Sequence, residues 1–315
     1  MANTDIARQT SFLTSDHHTD HIGGLIVDEL VARFAAVGLT RQTMGLVIAV
    51  PGPDGHARGF AHNGNWRCYP CSLVKTFHLV HVLAALEGGR IAPHAELDRA
   101  MRDMIKWSSN TATNYVIDLL TETTGDTLLG EPALASWIEQ RQGLNRFFSD
   151  LGWPEFSTCN IAQKLMDDTR YGREAQFAGT DGRNLNALTP LAAARLVWSI
   201  WQGDLPLSPD MRLRAQQILA RNAQSPDASD PNYQLSEYLC GGLPDDVQIW
   251  SKAGHNEWTG DPAASWYKHD MARLVGPGRA PLTVVLMTQG KMIAGENSDA
   301  FTAMGRLIWD MTADL

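Results

Sequence analysis

Ser72 and Lys75, in the stretch Tyr-Pro-Cys-Ser-Leu-Val-Lys-Thr-Phe, stand three residues apart where an apparent strand and turn give way to a helix. On one helical turn that spacing sets a hydroxyl and an amine on the same face, as a serine nucleophile and the base that takes its proton require. The free N–H groups and positive dipole end at a helix start disfavour a second positive charge, which lowers a lysine pKa, and the same N–H groups can hold an oxyanion. The chemistry implied is acyl transfer through a covalent Ser72 intermediate. The plainer alternative is a helix-capping Ser72 beside a solvated Lys75. A second serine and lysine at this spacing, Ser265 and Lys268, falls in a predicted strand, where residues three apart point to opposite faces.

The elements that must position this pair are legible as apolar periodicities. A first helix is predicted over 23–38, and Met44 to Val50, the turn Pro51 to Gly55 and a run ending near Tyr69 read as a hairpin. From Ser72 to about Gly241 the pattern is helical, with segments at 72–87, 95–106, 111–122, 132–150, 190–202 and 210–221. Strand signals return at 247–252, 264–275 and 282–288, and a helix closes the chain at 296–313. Strands at both ends of the sequence fold most economically into one sheet, an α/β (α+β) domain of residues 1–66 and 242–315. The middle, 67–241, is then an inserted all-α domain carrying the nucleophile, and the cleft between the two is the expected site.

Composition narrows the partners. The chain has 315 residues, 44% hydrophobic and 19% charged, with a net charge of −9, so it offers no basic stripe for nucleic acid and no polybasic run for an anionic membrane. The first forty residues lack a secretory leader pattern and no run of eighteen apolar residues occurs, which predicts a cytoplasmic protein, or a periplasmic one if a leader has been removed. Cys68-Tyr-Pro-Cys71 has the spacing of a redox pair but no thioredoxin-like surroundings, and Cys71 reads as a small apolar residue at a corner. The histidines of Asp16-His17-His18-Thr19-Asp20-His21 lie in a polar segment without a partner cluster, and His78 and His81 fall among apolar neighbours, so no metal or other cofactor is expected.

With further motifs the chain resembles the class A β-lactamase and penicillin-binding superfamily of serine-lysine enzymes. Ser72-Leu-Val-Lys75 matches the first motif, Ser108-Ser109-Asn110 followed by Thr-Ala-Thr-Asn114 matches Ser-Asp-Asn and its trailing residues, and Lys252-Ala253-Gly254 matches Lys-Thr-Gly. Asn186 to Leu196 and Pro281 to Thr288 are similar to further family segments, so the resemblance spans most of 23–315. It implies the two-domain β-lactamase-like fold, with an antiparallel sheet flanked by the terminal helices. It also implies roles: Ser72 acylated, Lys75 its proton acceptor, Ser108 relaying a proton to the leaving group under the influence of Lys252, and Asn110 holding Lys75 and the substrate amide. The oxyanion would lie between the backbone N–H groups of Ser72 and His255, next to Gly254.

The departures bear on substrate. The family's deacylating glutamate lies in Glu-x-x-Leu-Asn, a pattern that 160–186 lacks; Glu174 is the only glutamate there and reads either as a displaced base or as a solvated loop carboxylate. His255 is a second candidate base, with a polar-rim role as its alternative, and Lys75 a third. Ala253 replaces a hydroxyl residue that helps bind a substrate carboxylate, no arginine occurs from His255 to Ser265, and Ser72 and Ser108 are only 36 residues apart. The expectation is a serine hydrolase acting on a small ester, amide or lactam, with penicillin-type β-lactams disfavoured. The alternatives are a true β-lactamase or D-alanyl peptidase with a relocated base, and a penicillin-binding receptor that acylates without turnover. The oligomeric state is not legible.

Overall fold

The computed structural model describes residues 12–165 and 170–315, so the first eleven residues of the expected sheet domain and part of the 160–186 loop lie outside it. β1 (Leu13–Thr14) precedes the long helix α1 (His17–Phe34), and β2 (Met44–Pro51) and β3 (Ala57–His62) form a hairpin. Helices follow: α2 (Val74–Glu87), α3 (Ala95–Lys106), α4 (Asn110–Thr121), α5 (Ala133–Arg141), α6 (Gly143–Ser149), α7 (Gly172–Ala178), α8 (Pro190–Gln202) and α9 (Pro209–Leu219). Then come β4 (Ala220–Arg221), β5 (Gln248–Asn256), β6 (Tyr267–Val275), β7 (Leu282–Gln289) and the closing helix α10 (Ser298–Met311).

The strands make one sheet in the order β1-β3-β2-β7-β6-β5-β4. Every pairing is antiparallel except β1 with β3, a parallel contact of two residues on each strand that the antiparallel expectation did not include. β4 likewise lies inside the range expected to be wholly helical, where Ala220 and Arg221 pair with Trp250 and Ile249 of β5. Strands of two residues are too short to carry a period-2 signal. Because β4 stops there, β5 from Ser251 to Asn256 has no strand on that side among the described residues, and this open edge faces the start of α2.

The two faces of the sheet are buried differently. On one, Ile26, Leu30, Phe301 and Ile308 of α1 and α10 pack on Leu46, Ile48, Ala272, Val284 and Leu286. On the other, Val47, Ala49, Met271, Val285 and Met287 join the core of the helical block. A sheet covered on both faces needs apolar side chains on both, which is why β2 reads as an unbroken apolar run. Within the helical block α2 is surrounded: Phe77, Leu79, Val80, Val82 and Leu83 are all fully buried, as expected for a helix that is apolar all round. Phe77 meets Phe148 and Phe156 edge-on at centroid separations of 5.0 and 5.6 Å. Burying one such side chain contributes about 1.5–3 kcal/mol, so the helix that carries Ser72 and Lys75 is among the most firmly seated elements.

Two departures from the sequence reading have a local cause. α1 begins at His17 and not at residue 23, because Asp16 accepts from the Thr19 backbone N–H at 2.8 Å while Thr19 reciprocates in a capping box. The histidine run is therefore the first turn of a helix. The helix predicted over 132–150 is two, α5 and α6, interrupted at Gln142, next to Gly143, where glycine weakens helix propagation.

Candidate active site

Ser72 lies in a 3-10 turn, Cys71–Leu73, that runs directly into α2, and it is half-buried. Cys71, at φ 49°, occupies the left-handed region that a non-glycine residue enters only under constraint from its surroundings. That constraint comes from the sheet. Gly254 of β5 packs so closely that a Cβ on it would stand 2.5 Å from the Ser72 backbone nitrogen and 3.0 Å from Cys71 Cβ, so only glycine lets the strand reach the nucleophile turn. His269 of β6 adds a second tie: it accepts from the Thr288 N–H at Nδ1 (3.1 Å), which leaves Nε2–H to donate to Tyr69 O at 2.9 Å. No sequence signal marked His269, because its contact crosses 200 residues.

Lys75, the second residue of α2 and one turn after Ser72, is fully buried and donates to Asn110 Oδ1 at 2.9 Å, to Ser108 Oγ at 3.1 Å and to the Ser108 carbonyl. Lys252, also fully buried, reaches the same Ser108 Oγ at 3.0 Å from β5 and donates as well to Gln234 Oε1 and to Ala253 O. The turn between α3 and α4 presents these groups: Ser108 is held at φ 51°, Ser109 caps α4 by accepting from the Ala112 N–H at 3.1 Å, and Asn110 opens the helix. Capping is thus the work of Ser109, which leaves Ser108 for the cleft. Two amines on one hydroxyl repel when both are charged, and burial together with Lys75 holds Lys252 well below the ordinary lysine value.

Glu174 is not in this cluster's hydrogen bonds, and it is not a solvated loop carboxylate either. It is 5% exposed on α7 and forms a two-pronged ion pair with Arg141, itself fully buried, at 3.0 and 2.8 Å. The same loop is fastened by Lys164 to Asp118 at 2.6 Å and by Asn186 to the Gln163 backbone at 3.0 Å in both directions. His255 follows Gly254 on the open edge of β5, exposed, with Nδ1 2.6 Å from the Tyr238 hydroxyl. Partial desolvation and then Lys268 hold its pKa below the usual histidine value.

The remaining candidates fall outside the cluster. Ser265 bonds Asp261 O and the Thr259 N–H, while Lys268 lies over the Tyr238 and Phe301 rings. Cys68 and Cys71 are free and buried, and burial raises both thiols, which makes them inert. His81 accepts from Arg90 and stacks on Phe147, whereas fully buried His78 has no hydrogen-bond partner at either nitrogen among the described residues and is pushed down to about 3 by its burial. Among the described residues no three metal-ligating side chains gather, and no helix is long and apolar enough to cross a membrane.

A family model described as the beta-lactamase enzyme family matches residues 94–312, which takes in Ser108, Asn110 and Lys252 to His255 and begins after Lys75. The fold is similar to that of a beta-lactamase from Sphaerobacter thermophilus, at 19% identity and a TM-score of 0.63, covering 92% of this chain and 97% of that one. A beta lactamase from Burkholderia vietnamiensis is 18% identical with a TM-score of 0.62, covering 95% and 99% of the two chains. One from Xanthomonas campestris pv. campestris is 21% identical with a TM-score of 0.60, covering 91% and 98%. No curated protein matches the sequence.

Proposed function

The chain belongs to the beta-lactamase enzyme family of hydrolases, and from that premise we propose a serine hydrolase that works through acyl-Ser72 on a small ester or amide other than a penicillin-type β-lactam. The observation that carries this reading is the meeting of Lys75 Nζ and Lys252 Nζ on Ser108 Oγ, at 3.1 and 3.0 Å, beside a strand packed on the Ser72 backbone.

Neutral Lys75 takes the Ser72 hydroxyl proton as Oγ bonds to the substrate carbonyl carbon. The carbonyl oxygen gains the negative charge, which the backbone N–H groups of Ser72 and His255 stabilise. When the tetrahedral intermediate collapses, the bond to the leaving group breaks and a proton passes from Lys75 through Ser108 to that group, with Lys252 favouring the relay electrostatically. Lys75 is then neutral again and takes a proton from the water that attacks the acyl carbon. Ser72 leaves as the acid is released and recovers its proton by the same route. Ala253 and the arginine-free stretch from His255 to Ser265 deprive a penicillin carboxylate of its usual donors, which supports a different substrate.

Turnover of p-nitrophenyl esters of short acids and of a chromogenic cephalosporin, compared in the wild type and Ser72→Ala, tests this. Ester hydrolysis that exceeds lactam hydrolysis and is lost in Ser72→Ala is the expected outcome. Steady, efficient lactam turnover abolished by the same substitution would overturn the substrate preference, and ester turnover unchanged in Ser72→Ala would overturn the mechanism.

A further inference from the structure

The segment from Pro231 to Gly242, built of short 3-10 turns, lays two side chains against β5. Gln234, 6% exposed and at φ 55°, turns Oε1 toward Lys252 Nζ. Tyr238, 2% exposed, stands four residues on and places its hydroxyl 2.6 Å from His255 Nδ1. Among the described residues His255 Nδ1 is the acceptor that stands within hydrogen-bonding distance of this buried hydroxyl. The segment thus touches both ends of the Lys252-Ala253-Gly254-His255 edge, Gln234 at Lys252 and Tyr238 at His255.

Counting hydrogens gives the second contact a direction. A buried phenol has to place its O–H on an acceptor, whereas exposed His255 can meet solvent with a ring N–H at Nε2. The tyrosine O–H therefore donates to His255 Nδ1. Burial, with Asp270 adding to it, raises the Tyr238 pKa and keeps that hydroxyl protonated. In a neutral imidazole whose Nδ1 accepts, the ring hydrogen sits on Nε2.

We propose that Tyr238 is a positioning residue that locks His255 in the Nε2–H tautomer, so that His255 meets the substrate as a hydrogen-bond donor to an acceptor oxygen and not as a base. The substrate half of this statement rests on the acyl-Ser72 reading; the tautomer half stands without it. The donor occupies the edge where Ala253 supplies none. The charged groups that bear on the ring are Lys268, its register partner on β6, Glu257 further along the chain, Glu237 beside Tyr238, and Lys252.

Long-range 1H–15N correlation spectra of the full chain labelled with 15N-histidine read the tautomer directly, with His255→Gln identifying the resonances. At pH 7.5 the wild type is expected to show His255 protonated at Nε2 and bare at Nδ1. Tyr238→Phe is expected to populate both tautomers and to raise KM for the ester about 10-fold with kcat changed less than twofold, the size of one lost hydrogen bond. A wild-type His255 protonated at Nδ1 overturns the proposal, as does a Tyr238→Phe tautomer identical to the wild type. The wild-type spectrum alone decides if the variants fail to fold. Because the spectra need no turnover, they separate failure here from failure of the Ser72 mechanism.

Discussion

Lys75→Met is expected to slow formation of acyl-Ser72 by roughly 10²–10⁴-fold, the range that a positioned general base contributes. Methionine keeps most of the buried stem volume and removes the amine, so the loss reads out the base and not the packing of α2. The amine lies among Asn110 Oδ1, Ser108 Oγ and the Ser108 carbonyl, which fix its place, and faces a second lysine across Ser108 Oγ. This pairing also sets the pH dependence. Lys252 is held well below its ordinary value, so the pair takes up its last proton at a pH lower than an isolated lysine would. Adding that proton removes the base, and the wild-type acylation rate is expected to fall as pH drops through the transition. In Lys75→Met the rate is expected to stay low across the same window. Stopped-flow release of p-nitrophenolate measures both. A variant that acylates at the wild-type rate with the wild-type pH profile contradicts the assignment of Lys75.

Glu174→Ala is expected to destabilise the fold by roughly 3–5 kcal/mol, because it strands a buried arginine without its counter-charge. Arg141 has no exposed surface, and its remaining hydrogen bonds, to Thr123 Oγ1 at 3.0 Å and Ala162 O at 3.4 Å, do not replace two charge-assisted bonds. The urea midpoint of unfolding measures the loss. The ion pair ties α5 to α7, so the variant is also expected to loosen the loop that begins near Asn160 and to show it as faster proteolysis there. Glu174→Gln keeps the shape and part of the bonding and should fall between. A Glu174→Gln protein of wild-type stability that acylates normally but no longer deacylates would identify Glu174 as the catalytic base and refute its structural role.

The parts of this molecule that the sequence made legible are those whose signal is local. Helix α3 runs over Ala95–Lys106 as its periodicity indicates, and α2 follows Ser72 because an apolar run and a turn announce it. The spacing of Ser72 and Lys75, the Ser108 turn and Lys252 on a strand are short patterns, and the structure joins Lys75 to Ser108 and Asn110, and Lys252 to Ser108, by hydrogen bonds. What stayed hidden depends on contacts between distant residues. The Arg141 to Glu174 pair joins two helices 33 residues apart, and nothing near Glu174 distinguishes a buried ion pair from a solvated carboxylate. Gln234 and Tyr238 lie between two short 3-10 turns, in a stretch without periodicity, and their significance comes only from the strand they touch. β1 and β4 are too short to show alternation, and the early start of α1 depends on the Asp16 capping box amid residues that otherwise resemble a polar tail.

Intact-mass spectrometry of the acid-quenched full chain, after brief incubation with a p-nitrophenyl ester, tests the central claim most directly. The predicted result is a transient mass increase equal to the acyl group, mapped by peptide digestion to Ser72 and absent in Ser72→Ala. A wild-type protein that hydrolyses the ester without any adduct trapped at Ser72, or an adduct that forms equally in Ser72→Ala, would contradict it.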